Sequence, residues 1–138
     1  MIASSVPMPA ASGYPWLPTA AVIEDVRPET PGVATYRLRL ADEQQSINYA
    51  FQAGQFNMLY LPGWGEIAIS LSGLAGRAAG NDKDTGSLVH TIREAGSVTQ
   101  ALARLGVGGR LGLRGPFGKP WPLEALLGSD VVLVAGGI

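Results

Sequence analysis

The sequence predicts a mainly β domain: a six-stranded antiparallel Greek-key β-barrel with one short helix. Three observations carry this reading. Glycine and proline are dense, 19 and 10 in 138 residues, about a fifth of the chain against an average of about 12%. They separate short runs in which apolar and polar residues alternate, the period of a strand with one buried face. A single stretch, residues 97–105, switches to the helical period. Charged residues make up 15% and the formal net charge is −1, too little charge for a disordered chain and no basic footprint for nucleic acid. So many helix breakers exclude a helix bundle, and no apolar run approaches the roughly 18 residues of a membrane-spanning helix. With no cysteine, the chain holds no disulfide, no Cys-based zinc site and no Cys-ligated iron–sulfur cluster.

Residues 1–19 are rich in Ala, Ser and Pro and read as a flexible lead-in, with Trp16 either free or laid over apolar surface. The start lacks the basic residues and apolar core of a secretory signal, so the chain reads as cytoplasmic. Ala20 to Val26 forms the first strand. The segment Arg27-Pro28-Glu29-Thr30-Pro31-Gly32 reads as a turn, since two prolines interrupt a ladder. Val33 to Leu40 is a second strand, with Tyr36, Leu38 and Leu40 on one face and Arg37 and Arg39 on the other. Ala41 to Tyr49 reads as a polar loop. Phe51 to Leu61 holds a glycine turn and a third strand. Pro62 to Gly65 is a tight connection, Glu66 to Ser72 a fourth strand, Gly73 to Gly86 a loop, and Ser87 to Glu94 a fifth strand.

Val98, Ala101, Leu102 and Leu105 then fall on one helical face. Ser97 followed by Gln100 has the spacing of a capping box and sets the helix start at Ser97; Gly106 ends it. Arg110 to Arg114 is the sixth strand, and Gly115-Pro116-Phe117-Gly118-Lys119-Pro120 a turn. Residues 121–129 form an amphipathic connector. Asp130 to Gly137 is an apolar run without alternation that ends in Gly-Gly. That is the texture of a strand buried on both faces of a parallel sheet, leading into a nucleotide-binding turn. The expected organisation is a lead-in over 1–19, a barrel over 20–120, and, over 121–138, a connector with the first strand of a missing α/β nucleotide-binding domain.

Hydrolytic and metal chemistry find little support. His90 is the one histidine, lies inside a strand pattern, and is expected to be a satisfied core residue. A Ser-His-Asp arrangement lacks its Gly-x-Ser-x-Gly elbow, a typical zinc site lacks its ligands, and no phosphate-binding Walker loop occurs. The best candidate site is the helix start, Gly96-Ser97-Val98-Thr99. A first turn leaves amide N–H groups unpaired at the positive end of the helix dipole, where an anion such as a pyrophosphate binds. Gly96 permits close approach, Thr99 offers a hydroxyl, and Arg93 adds a cation. A plain helix cap on a barrel is the competing reading of the same residues.

The order of these elements resembles the ferredoxin–NADP reductase superfamily over about residues 20–138. The chain looks most similar to its flavin subunits: the gamma subunit of nickel–iron hydrogenases and sulfhydrogenases, and the electron-transfer subunit of dihydroorotate dehydrogenase. The phrases that carry the likeness are Pro15 to Pro18, Ala53-Gly54-Gln55-Phe56, Gly65 to Ser70, Thr91 to Thr99, Gly115 to Gly118 and Val132 to Ile138. The resemblance implies an FAD-binding barrel ahead of an NAD(P)H-binding domain whose site lies outside this chain, and electron transfer to iron–sulfur and catalytic partner subunits. It implies flavin contacts from Ile67, Ala68, Ile69 and Ser70, which match the family's Arg-x-Tyr-Ser stretch, and from Thr91, Ile92, Arg93, Val98 and Thr99. Ile67 stands where the family has its phosphate-binding Arg, so Arg93 and the helix start carry more of the phosphate charge. No side chain is expected to act as catalytic acid or base. The competing class is a barrel that binds no flavin and serves as a docking or structural module.

Overall fold

A computed structural model describes residues 16–73 and 86–138. The order of elements is β1 (Thr19–Thr30), β2 (Val33–Leu40), α1 (Glu43–Ile47), β3 (Phe56–Leu61), β4 (Gly65–Ser70), β5 (Leu88–Arg93), α2 (Ser97–Leu105), β6 (Arg110–Phe117) and α3 (Leu123–Leu126). The six strands form one antiparallel sheet in the order β4-β3-β6-β1-β2-β5. β6 enters between the β1–β2 and β3–β4 hairpins, so a late strand joins the two early pairs. The expected six strands are all present. The sheet curls, but no ladder joins its end strands, β4 and β5, so the barrel is not closed by backbone pairing.

Alternation places the core as the sequence implies. Ile23, Leu38, Leu59, Leu88 and Leu113 are among the most deeply buried side chains, with Tyr36 and Leu40 beside them. α2 covers the sheet with Ala101 and Leu102, and Val98 is partly buried against the same cluster. Leu105, expected on that face, is instead largely exposed in the last turn.

Three expectations change. β1 runs on to Thr30 rather than stopping at Val26, because β6 flanks only Thr19 to Val22. Pro28, opposite Ala34 of β2, therefore lies where β1 has one strand neighbour, and its missing N–H breaks no second ladder. The polar loop after β2 contains α1, whose start Asp42 secures by accepting the Gln45 amide at 2.8 Å. β6 continues through Gly115 and Pro116 to Phe117, where a turn was expected. Asp130–Ile138, expected as the first strand of a further domain, joins no ladder among the described residues, and Val132, Leu133 and Val134 are exposed. A strand needs a hydrogen-bonded neighbour, and this segment meets none among the described residues. Trp16 is also exposed, with the Arg114 guanidinium 6.0 Å from its ring centre. The expectations for residues 1–15 and for most of the Gly73–Gly86 loop lie outside the described residues.

A continuous chain of polar groups, with Asn57 and His90 fully buried, runs beneath β4 and β5. The Tyr49 hydroxyl donates to Asn57 Oδ1 (2.5 Å), Asn57 Nδ2 lies 3.3 Å from His90 Nε2, and His90 Nδ1 lies 2.9 Å from the Ser70 carbonyl oxygen. A carbonyl only accepts, so Nδ1 carries the proton and Nε2 accepts from Asn57. Gly115 makes room for the chain; a Cβ there would collide with Asn57 Oδ1. Burial lowers the His90 pKa to about 4, against the weaker upward pull of its bonds to backbone carbonyls. An imidazolium would also turn Nε2–H against the Asn57 NH₂ group.

The unfolded chain therefore takes up a proton on His90 near pH 6.5, while the folded chain resists until about pH 4. Stability is full above pH 6.5 and falls between these values, by about 3 kcal/mol at most. Urea unfolding at pH 7, 5.5 and 4.5 measures the slope. His90→Gln flattens it, and an unchanged slope in that variant excludes His90 as its source.

Candidate flavin site

The two end strands lie side by side without pairing, and this seam organises the site. At one end the Ser72 amide donates to the Val89 carbonyl at 2.9 Å. At the other, α2 rests on the start of β4, where a Cβ on Gly65 would lie 3.7 Å from Val98 Cγ2. In a strand, the N–H and C=O of one residue point to the same side, and successive residues alternate. The Ser72–Val89 bond fixes the phase on both strands. Glu66, Ala68 and Ser70 thus turn their backbone groups toward β5, and Thr91 and Arg93 turn theirs toward β4. Apart from the Ser70 carbonyl, which accepts from His90, these groups have no protein partner among the described residues. Two strand edges therefore face each other with their donors and acceptors unspent.

Side chains sort by the same parity. Ile67 and Ile69 are half-buried against the core, opposite Leu59 and Asn57 of β3. Ala68 and Ser70 are exposed on the outer face. Ile92 is buried in the core and pairs with Ala34 of β2. Thr91 and Arg93 lie on the outer face of β5, Thr91 half-buried and Arg93 exposed with no ion pair among the described residues. Ile67, Ile69 and Ile92 turn their backbone groups to the paired strands β3 and β2 and not to the seam.

The helix start is a cap, shifted by one residue from the expected frame. Gly96, not Ser97, is the N-cap, and the reaching side chain is Thr99, not Gln100. Thr99 Oγ1 accepts the amides of Ala95 (2.9 Å) and Gly96 (3.0 Å) and donates to the Gly96 carbonyl (2.9 Å). Its hydroxyl is spent inside the protein, so the expected donation to a ligand is replaced by a structural role. The amides of Ser97, Val98 and Thr99 lie outside the helical ladder, which begins with Gln100 N–H on the Gly96 carbonyl. Gly96 is extended at φ −154°, a conformation open to any residue, and a Cβ there meets nothing within 4 Å. Neither backbone nor packing within the chain requires glycine at this position. What it provides is clear space in front of three free amides.

Residues absent from the sequence-level site also matter. Glu66 pairs with Arg114 (2.6 Å) instead of filling the place of the family arginine. His90 and Asn57 brace β4 from below. His90 is fully buried, with its two ring nitrogens on Ser70 and Asn57, so it has no access to a substrate.

No family model matches the chain. The sulfhydrogenase 2 gamma subunit of Pyrococcus furiosus is 29% identical over 116 residues, which is 84% of this chain and 38% of that protein. The probable dihydroorotate dehydrogenase B (NAD(+)) electron transfer subunit of Methanocella arvoryzae is 30% identical over 121 residues, 88% of this chain and 39% of its own length. A solved NADH-dependent reduced ferredoxin–NADP oxidoreductase, described in terms of flavin-based electron bifurcation, shares the fold with a TM-score of 0.59 at 18% identity, covering 82% of this chain and 38% of that one. The chain thus has the fold of a ferredoxin–NADP oxidoreductase structure and is similar in sequence to subunits of sulfhydrogenase and of dihydroorotate dehydrogenase B. These relatives are named as a sulfhydrogenase gamma subunit and a dihydroorotate dehydrogenase B electron transfer subunit, the two kinds of protein that the sequence motifs resemble. The chain spans under two fifths of the length of these relatives.

Thr99→Ala strips the cap and leaves the Ala95 and Gly96 amides without their oxygen. The expected loss is about 1–2 kcal/mol of unfolding free energy, read from urea midpoints. Thr99→Ser, which keeps the oxygen, recovers most of it.

Proposed function

We propose that this chain is the flavin domain of an oxidoreductase electron-transfer subunit, and that FAD occupies the seam between β4 and β5 and the helix start. The observation that carries the reading is the pair of unspent strand edges running toward three free amides at Gly96. A flat heterocycle with alternating N–H and C=O groups suits the first, and a pyrophosphate suits the second. The residues present fit the group. The Ser97, Val98 and Thr99 amides with Arg93 hold the phosphates, and Gly96 leaves room for them. The backbone groups of Ala68, Ser70, Thr91 and Arg93 face the ring, and Ile67, Ile69 and Ile92 between them hold both strands to the core. Half-buried Ile67 contributes no charge, so Arg93 is the principal phosphate cation among the described residues.

When bound, the flavin supplies hydride and electron chemistry. The chain's own task is to bind, orient and shield. His90 stays neutral at physiological pH and donates to the Ser70 carbonyl, which sets the pitch of β4. No side chain of the seam is required as a general acid or base.

The wider reading places NAD(P)H as the hydride donor and an iron–sulfur protein of a multi-subunit, cytoplasmic oxidoreductase as the electron acceptor. Residues 20–120 form the flavin domain, after a lead-in over 1–19. Residues 121–138 connect it to a nicotinamide-binding domain, with Asp130–Ile138 as that domain's first strand. The exposure of Val132, Leu133 and Val134 supports this, because such side chains are stable in a strand covered on both faces.

The purified chain is expected to bind FAD and to show a flavin absorption band. Gly96→Val and Arg93→Ala each weaken FAD binding about tenfold or more, a loss of about 1.4 kcal/mol, while circular dichroism and urea midpoints remain near wild type. A chain that takes up no FAD on titration refutes the assignment. Unchanged affinity in both variants moves the phosphates away from the helix start.

A further inference from the structure

One line of hydrogen bonds crosses the outer face of the sheet and ends on a charge. Ser72 Oγ lies 3.0 Å from Thr91 Oγ1, across the seam. Thr91 Oγ1 lies 2.9 Å from Thr35 Oγ1, its register partner on β2. Thr35 donates to Glu29 Oε1 on β1 at 2.6 Å, and the same oxygen accepts Nη2 of Arg27 at 2.7 Å. The line joins Ser72, two residues past β4, to β5, β2 and β1.

Its direction follows from counting protons. A hydroxyl has one to give and two lone pairs to receive with. The Glu29 carboxylate accepts only, and the bond from Thr35, with that from Arg27, holds it below the usual carboxylate range. The Thr35 proton is therefore committed to Glu29, and the Thr35–Thr91 contact uses the Thr91 proton. The Ser72–Thr91 contact must then use the Ser72 proton. Were Ser72 to donate to the Val89 carbonyl at 3.4 Å instead, the oxygens of Ser72 and Thr91 would oppose lone pairs at 3.0 Å. Thr91 has spent its only donor and keeps one lone pair, on a residue whose backbone faces the seam.

We propose that Glu29, acting through Thr35, makes the Thr91 hydroxyl an acceptor-only group at the seam and thereby lowers the reduction potential of the flavin held there. The inference rests on the flavin reading above. Reduction raises electron density on the ring's nitrogens and oxygens, so a neighbouring donor favours the reduced form and a neighbouring lone pair favours the oxidised one. Glu29 and Thr35 are positioning residues, since they act on the ring through Thr91. Severing the line at Thr35 or Glu29 frees the Thr91 proton to point into the seam.

Thr35→Val keeps shape and β-branching while removing the hydroxyl; Glu29→Leu removes the terminal acceptor by a different route. In the apoprotein, carbon-13 NMR of the Glu29 carboxyl is expected to show its titration moving up in Thr35→Val and staying low in Thr35→Ser. With FAD bound, Thr35→Val and Glu29→Leu raise the ratio of reduced-form to oxidised-form affinity about tenfold, or about 30 mV for a two-electron couple. Thr35→Ser and Glu29→Gln, which keep the oxygens, restore the wild-type ratio. An unmoved Glu29 titration in Thr35→Val overturns the line before any flavin is added. FAD binding with equal ratios in wild type, Thr35→Val and Glu29→Leu overturns the inference and leaves the flavin reading standing. Failure of the wild type to bind FAD overturns the flavin reading, and the inference with it.

Discussion

The bond from His90 Nδ1 to the Ser70 carbonyl sits where the molecule resolves a conflict. A curled sheet must cover its core all the way round, which argues for a ladder between β4 and β5. A ladder would consume every donor and acceptor on both edges. The protein joins the strands from below with a buried side chain and ties them at one end through Ser72 and Val89. The core stays covered, since Leu59, Leu88 and Ile92 remain buried, and the edges stay unspent. His90 needs Asn57, Asn57 needs Tyr49, and the glycine at position 115 makes room for Asn57 and Tyr49. The cost is a histidine that must remain neutral.

The helix start completes what the seam begins. α2 is anchored by Ala101 and Leu102 in the core and by Val98 near Gly65, so its first turn is held at the mouth of the seam. Thr99 could have been a ligand donor by type and spacing, yet its hydroxyl stabilises the turn that presents the amides. On the flavin reading proposed above, backbone groups and Arg93 would carry the phosphate charge that the sequence resemblance assigns to an arginine at the position of Ile67.

How much of this was legible in the sequence depended on period and parity. Alternation in Val33 to Leu40 gave the strand and its buried face directly, because each residue's environment follows from its neighbours. Proline misled at Pro28, since its effect depends on whether a second strand lies alongside, which sequence spacing does not encode. The helix was placed correctly but its cap was off by one: Ser97-x-x-Gln100 fits the motif, whereas the N-cap is Gly96, whose amide Thr99 accepts as the reciprocal half of a box. α1 was missed although Asp42 signalled it, because a five-residue helix has no room for a period. The residues expected at the site lie together along the seam and the helix start, whereas their inward or outward sense at Ile67, Ile69 and Ile92 required the register. The Thr35–Thr91 contact joins residues 56 positions apart and leaves no local trace.

The exposed run Val131 to Ala135 has a consequence for handling the chain. It is uncharged, rich in β-branched residues, free of proline and not hydrogen-bonded into the sheet. Those are the properties of a segment that stacks on copies of itself. At high concentration the chain carries its own nucleus for intermolecular strand pairing, separate from the stability of the barrel. Colloidal behaviour and folding stability are therefore two independent quantities here, and a charged residue placed at Val132 or Val134 alters the first while leaving the second untouched.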